Sequence, residues 1–396
     1  MSEKIVAVVG SNQSAGEYES NYFWVIDFSN AWEEAPGTVQ VPLPFSGSGC
    51  VVACSGTLAA VGNFTGPGET GSSVTIYDIS TPSDPRPVGS AGLPFDGIGA
   101  IAFYAGYILA AEAGGTRVGL IEMGNLASPQ VYETGLDTLT DVAVFGEYAV
   151  VCGTSVYKNA FQAANVNNLS SLQYGASTSF SPVPQYELQV TCDFDGTNAV
   201  FSDGTGVYVF GIADGIPTAQ PVAPSGGEFG TVTSVTIAER ANAEGEAAGG
   251  VLIASASAGD QDVSLTFFVP VTPEANAFGA SASLGEPTVA YSQVVDTAGA
   301  VSFSRNIFGT SALLAAAGVT ANAANVPEYV VSLFLVNTAY SGGNNGSATL
   351  SQLGQYATVQ LPSTLNPTLG ITTFDTFALE PPFRFPHLIV PPIERL

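Results

Sequence analysis

Asp96, Asp141 and Glu187 are the side chains of this 396-residue chain whose type and placement bear most directly on chemistry. Each stands at or just before a short apolar run bounded by turn residues, the position at which a strand begins. Two carboxylates held in different surroundings can divide acid and base roles between them. Several carboxylate oxygens around one opening can instead hold a hard divalent cation such as Ca2+. A Ser-His-Asp arrangement is not expected, because the single histidine, His387, lies in a proline-rich tail.

Other motifs give less. Gly66-Pro67-Gly68-Glu69-Thr70-Gly71 matches G-x-G-x-x-G in letters, but it joins two strand-like runs and no helix follows to face a phosphate. Asp193-Phe194-Asp195-Gly196-Thr197-Asn198 opens like a calcium loop and lacks the distal glutamate, and its Asp195-Gly196-Thr197 reads as a hairpin turn. Cys50 and Cys54 are about 13 Å apart if they share one strand, beyond disulfide reach. With Cys152 and Cys192 they read as buried apolar thiols and not as a zinc site, which wants four Cys or His ligands. No catalytic residue, cofactor or metal ligand is assigned from these patterns, Ca2+ being the one cation an acidic opening would suit.

A repeat must position these residues. A pair of apolar strands recurs seven times at a spacing of roughly 45 to 65 residues, the period of a four-stranded propeller blade. The copies fall at Tyr22 to Asn30, Val74 to Thr81, Val118 to Asn125, Phe161 to Asn168, Val207 to Gly215, Val263 to Pro273 and Val330 to Asn337. The runs are continuous more often than alternating, as expected for strands covered on both faces. Inner strands are expected at Gly49 to Cys54, Gly99 to Tyr104, Thr140 to Phe145, Glu187 to Phe194, Val232 to Ala238, Ala300 to Ser304 and Gly370 to Thr376. The last has no partners after it and the N-terminal hairpin has no inner strand before it. The expected fold is therefore all-β: a seven-bladed β-propeller over residues 1–379, closed by pairing of N-terminal and C-terminal strands in one blade.

Val74 to Ser90, which reads VTIYDISTPSDPRPVGS, resembles the LVIVD-type propeller repeat, with its apolar strand, Asp-Ile-Ser turn and Pro-bearing loop. Val118 to Thr134 is similar, with Ile121-Glu122-Met123 and a single proline, Pro129. The resemblance covers two or three blades and implies a propeller of bacterial, archaeal or viral surfaces, with no common active site to carry over.

In such a ring Asp96, Asp141 and Glu187 would circle one mouth of the central channel. The same end would receive the loops Ser11 to Asn21, Phe64 to Ser73, Ser155 to Gln162 and Val319 to Tyr329, and with them the aromatics Tyr18, Phe64, Phe95, Tyr157, Tyr186 and Tyr329. Aromatic side chains on loops of a rigid scaffold are common anchors for protein or sugar. Residues 380–396 carry five prolines in seventeen positions and read as an extended arm. Phe383, Phe385, Leu388, Ile389 and Val390 make it apolar enough to anchor the domain to a larger assembly.

The net charge is −26, from 34 acidic and 8 basic residues, so phosphate backbones and anionic membranes are poor partners. Ile5 to Val9 is too short for the apolar region of a secretory signal, and Gly97 to Ala111 and Asn306 to Pro327 are too polar or too broken to span a bilayer. Composition leaves the compartment open and favours a virion or extracellular surface. The function expected is a non-enzymatic module that binds protein or glycan through its loop-rich face. The alternative is a metal-dependent, lactonase-like or hydrolytic propeller enzyme working at the acidic channel mouth.

Overall fold

The computed structural model describes residues 3–10, 22–30, 34–43, 49–64, 71–170, 178–182, 190–194, 196, 198–204, 207–213, 216–217, 231–241, 247–258, 263–268, 270–271, 283–284, 288–293, 297–303, 311–321, 327–337, 354–361 and 368–375. They form an all-β architecture with one short 3-10 turn at Val166–Asn168. Among the described residues no helix is long and apolar enough to cross a membrane.

Four-stranded antiparallel sheets follow one another along the chain. The first contains β1 (Glu3–Gly10), β2 (Tyr22–Asp27) and β3 (Gly37–Pro42), the second β4 (Gly49–Ser55), β5 (Leu58–Phe64), β6 (Ser72–Asp78) and β7 (Arg86–Leu93). The third is built from β8 (Ile98–Tyr104), β9 (Tyr107–Glu112), β10 (Arg117–Glu122) and β11 (Gln130–Glu133), and the fourth from β12 (Thr138–Phe145), β13 (Tyr148–Ser155), β14 (Lys158–Asn165) and β15 (Thr178–Pro182). The fifth holds β16 (Thr191–Phe194), β17 (Asn198–Ser202), β18 (Val207–Ala213) and β19 (Ile216–Pro217). In the sixth, β20 (Thr231–Ala241), β21 (Ala247–Ala258) and β22 (Val263–Phe268) are followed by a two-stranded excursion, β23 (Pro270–Val271) with β24 (Ser283–Leu284), before β25 (Thr288–Gln293) completes the sheet. The seventh has β26 (Thr297–Phe303), β27 (Ser311–Ala321), β28 (Pro327–Asn337) and β29 (Gly354–Leu361).

The remaining strand, β30 (Thr368–Asp375), is the fourth member of the first sheet. It pairs antiparallel with β1 from Glu3↔Asp375 through Gly10↔Thr368. The edge strands β30, β4, β8, β12, β16, β20 and β26 each touch the next in that order, and β26 touches β30.

Burial explains the unbroken apolar runs. Successive residues of a strand point to opposite faces, and here both faces meet a neighbouring sheet. In β9, Ile108 and Ala110 pack toward the second sheet with Val51, Val74 and Leu93, while Leu109 and Ala111 pack toward the fourth with Leu139, Val142 and Val144. In β1, Val6 and Val8 face the second sheet, whereas Ile5, Ala7 and Val9 face Leu313, Val331 and Leu333 of the seventh. Cys152 and Phe161 meet Cys192, Phe201 and Phe210 between the fourth and fifth sheets, with the Phe161 ring 4.4 Å from Phe201 and 4.6 Å from Phe210. None of the four cysteines forms a disulfide.

The polar residue that ends a strand phrase also has a physical role. Asp27 Oδ1 accepts the Ser29 N–H, Asp78 Oδ1 accepts the Ser80 N–H and Asn165 Oδ1 accepts the Asn167 N–H, each at 2.9 Å. A side chain that closes such a turn on its own backbone ends the strand and turns the chain toward the outer strand.

Candidate functional site

Backbone hydrogen bonds gather the connections of the second, third and fourth sheets at one end. Ser72 N–H donates to Phe95 O, Ala113 N–H to Gly97 O, and Leu139 N–H to Gly115 O. The residues expected to bind at this end part company there. Tyr157 is 90% exposed. Asp96 is also exposed, on the β7–β8 connection. Phe95, expected beside it on the surface, is 1% exposed and packs with Leu93, Ile98 and Ile121 between two sheets. Gly119 makes room for Leu93 beside it, since a Cβ there would stand 2.7 Å from the leucine, whereas it would only touch the Phe95 ring, at 3.4 Å. Tyr329 is likewise buried, 9% exposed among Ile5, Trp24 and Val331, and is a packing residue instead of a surface anchor. Phe64 ends β5. Tyr18, Tyr186, Glu187 and the arm residues Phe383, Phe385, Leu388, Ile389 and Val390 lie outside the described residues.

The expected loop Ser155 to Gln162 is in fact a tight turn. Ser155 pairs with Lys158, so Val156 and Tyr157 alone connect β13 to β14. Both have positive φ, 47° and 62°. A two-residue turn of that hand follows the strand twist but favours Asn-Gly, and a β-branched residue in it is a true outlier. The β8–β9 turn meets the same demand more easily, with Ala105 at 45° and Gly106 at 95°. The Val156–Tyr157 turn is clamped from the neighbouring connection: Val156 N–H donates to Asp137 Oδ2 at 2.7 Å, and Asp137 N–H donates to Thr154 O at 2.7 Å. Asp137, Thr154, Val156 and Tyr157 line an open depression of about 500 Å³. Asp137 and Val156 were not expected at a site. The signal for them was a hairpin turn without glycine or asparagine.

Asp141 does not stand free at a channel mouth. It lies on β12, half-buried, where a bulge between Leu139 and Asp141 shifts the register. Its Oδ1 accepts the Val142 N–H at 2.8 Å and its Oδ2 accepts the Cys192 N–H of the next sheet at 2.9 Å. Burial raises its pKa to about 7, against the two N–H bonds, which lower it. Asp193 repeats the device one sheet on, its Oδ2 accepting from Thr236 Oγ1 at 2.8 Å and Ile237 N–H at 3.0 Å. Thr368 Oγ1 of β30 accepts the Val52 N–H of β4 at 3.1 Å in the same manner. Burial also pushes the Cys152 and Cys192 thiols up, which makes them poor nucleophiles.

Arg117, at the head of β10, holds Glu112 in a forked pair, Nε to Oε2 at 2.9 Å with Nη2 on Oε1, and its guanidinium carbon lies 5.2 Å from the Phe95 ring centre. The Glu112 hydrogen bond raises the arginine pKa further, so the guanidinium stays charged. Among the described residues no three His, Cys, Asp or Glu side chains converge as metal ligands would.

No known protein-family profile matches the chain, and no curated protein matches it by sequence. Its fold has likenesses among solved structures. A putative 6-phosphogluconolactonase from Bacteroides uniformis ATCC 8492 matches with a TM-score of 0.53 and 10% identity, over 92% of this chain and 99% of that one. Another from Bacteroides fragilis NCTC 9343 matches with a TM-score of 0.51 and 14% identity, over 94% and 98%. The β-propeller domain of Cps50 (Swd1) from Myceliophteria thermophila matches at 0.47 and 12% identity, over 83% and 90%. At these identities the likeness is one of fold, an all-β architecture with propeller neighbours.

Proposed function

We propose that this chain is a non-enzymatic interaction module, a seven-bladed β-propeller of LVIVD-like repeats closed by the β1–β30 pair, that docks a protein or glycan through its loop-rich end. The succession of four-stranded sheets with touching edge strands supports the ring. The observation that carries the function is the Val156–Tyr157 turn: two apolar side chains held almost fully in solvent, in an unfavourable conformation, by a hydrogen bond from the next connection. Such strain contributes nothing to folding, and outliers of this kind concentrate where a molecule meets something else. Residues 380–396 are proposed to serve as the arm that fixes the domain to a larger assembly on a virion or cell surface. Loss of incorporation on deleting residues 381–396, with the domain still folded, is the expected result; unchanged incorporation would remove that role.

The rival reading, a metal-dependent lactonase-like or hydrolytic enzyme at an acidic channel mouth, has beside it the names of two structural neighbours whose likeness to this chain extends to fold alone. Of the carboxylates it would employ, Asp141 is already engaged by two backbone N–H groups.

Site-specific photo-crosslinking in the native host tests the interaction reading. Tyr157 replaced by p-benzoylphenylalanine is expected to form adducts with a macromolecule, whereas the same replacement at Val131 of β11 is not. Parallel assays of purified protein with 6-phosphogluconolactone and simple lactones, with Ca2+ or with chelator, are expected to show no turnover. Absence of adducts together with chelator-sensitive lactone hydrolysis would replace the binding module with the enzyme.

A further inference from the structure

The depression beside the turn has a chemical character of its own. Its lining combines the aromatic Tyr157 and the apolar Val156 with two polar residues, Asp137 and Thr154. Asp137 Oδ2 holds the Val156 N–H, while Oδ1 takes no hydrogen bond from the described residues. Thr154 Oγ1 is 2.7 Å from Thr138 Oγ1, so one hydroxyl hydrogen of the pair is used between them and the other remains to be donated. The volume, about 500 Å³, lies within the usual range of small-ligand sites.

We infer that this depression is a subsite for a neutral pyranose of a glycan, with Tyr157 as stacking platform, Asp137 as acceptor for ring hydroxyls and the Thr138–Thr154 pair as donor and acceptor. The inference rests on the interaction reading above and names the partner class of that same face. A pyranose has an apolar C–H face and a polar edge, the complement of a lining that combines an aromatic side chain with a carboxylate and a hydroxyl residue. The clamped turn fixes the tyrosine's backbone, so binding has only the two side-chain torsions left to order.

Two observations choose a neutral sugar over other partners. A stable protein interface needs about 800 Å² from each side. The described residues offer only Val88, Val131, Val156 and Tyr157 as exposed large apolar side chains, with Val88 on β7 and Val131 on β11, both outer strands. Charge selects against acidic ligands: Asp96 and Asp137 are exposed on these connections and Glu133 at the end of β11, against Lys158 beside the turn and an Arg117 already paired with Glu112, in a chain of net charge −26.

The test is an array of oligosaccharides ending in glucose, galactose, mannose or N-acetylglucosamine, together with sialylated and uronic acid glycans, probed with the labelled full chain. At least one neutral class is expected to be retained and competed by its free monosaccharide. Tyr157→Ala and Asp137→Asn should each weaken that retention at least tenfold, while Tyr157→Phe should keep most of it. The amide oxygen introduced by Asp137→Asn still accepts the Val156 N–H, so the turn survives that change. A blank array, retention of acidic glycans alone, or retention indifferent to Tyr157→Ala would overturn the inference. A blank array with a protein adduct at position 157 in the crosslinking experiment would overturn the glycan and leave the interaction reading standing; a blank array without adducts would end both.

Discussion

Asp141 and Cys192 are joined across two sheets: a carboxylate oxygen from β12 accepts the backbone N–H of the edge strand β16 at 2.9 Å. An edge strand has N–H groups with no partner in its own sheet, and a buried N–H without one costs about 1–3 kcal/mol. Asp141, Asp193 and Thr368 each supply an acceptor to the following edge strand. These polar inner residues tie sheet to sheet, which is why carboxylates on inner strands here are structural before they are anything else.

The pH dependence of stability follows from Asp141. Its folded pKa, raised to about 7 by burial, stands above the unfolded value near 4. Between those two values the folded protein holds the proton more tightly, so this group's contribution falls as pH rises from about 4 to about 7 and is level beyond. Urea unfolding of the wild type and Asp141→Asn at pH 4.5, 6 and 8 should show the variant losing less stability over that window. Parallel pH profiles would mean that Asp141 does not titrate as its burial requires.

The turn prediction runs against ordinary experience of mutation. Replacing Val156–Tyr157 by Asn–Gly gives this turn the residues it prefers and should raise stability by about 1–2 kcal/mol, read as a higher urea midpoint with unchanged slope. The same change should abolish sugar retention, and the loss of function would then owe nothing to unfolding. A destabilised variant would show that the positive φ values at 47° and 62° are not strained.

Arg117→Met leaves the Glu112 carboxylate buried without its forked partner and removes the cation above Phe95. With the arginine side chain 31% exposed, breaking the pair should cost about 1–3 kcal/mol. The double variant Arg117→Met with Glu112→Gln should recover a large part of that loss. Equal stability of the single and double variants would mean that the ion pair is screened by solvent.

How far the fold was legible depends on what each residue answers to. Strands joined by glycine-bearing turns were, because apolar runs between glycines obey local rules: Tyr104 and Tyr107 pair around Ala105-Gly106, whereas the Val156–Tyr157 turn, without glycine, read as a longer loop. The strand phrase ending in Asp78-Ile79-Ser80 marks a real closing turn. The orientation of single aromatics was not legible. Phe95 and Asp96 are neighbours in sequence, yet one is buried and the other exposed, because Phe95 packs with Ile98 and with Ile121 of a strand more than twenty residues away. Gly119 inside an apolar run was a readable hint of close approach. Tyr157 is exposed, and its setting depends on Asp137, which only the clamp across the connection reveals.

The pairing of β1 with β30 underlies the proposed ring, and unfolding of two truncations tests it most directly. Removing residues 381–396 should leave a single cooperative urea transition with the midpoint of the full chain. Removing residues 370–396 takes away six of the eight β30 residues that pair with β1, exposes the edge of β1, and should give aggregation or a broad, non-cooperative transition. A soluble product of the longer deletion, unfolding cooperatively like the intact chain, would contradict the closed ring.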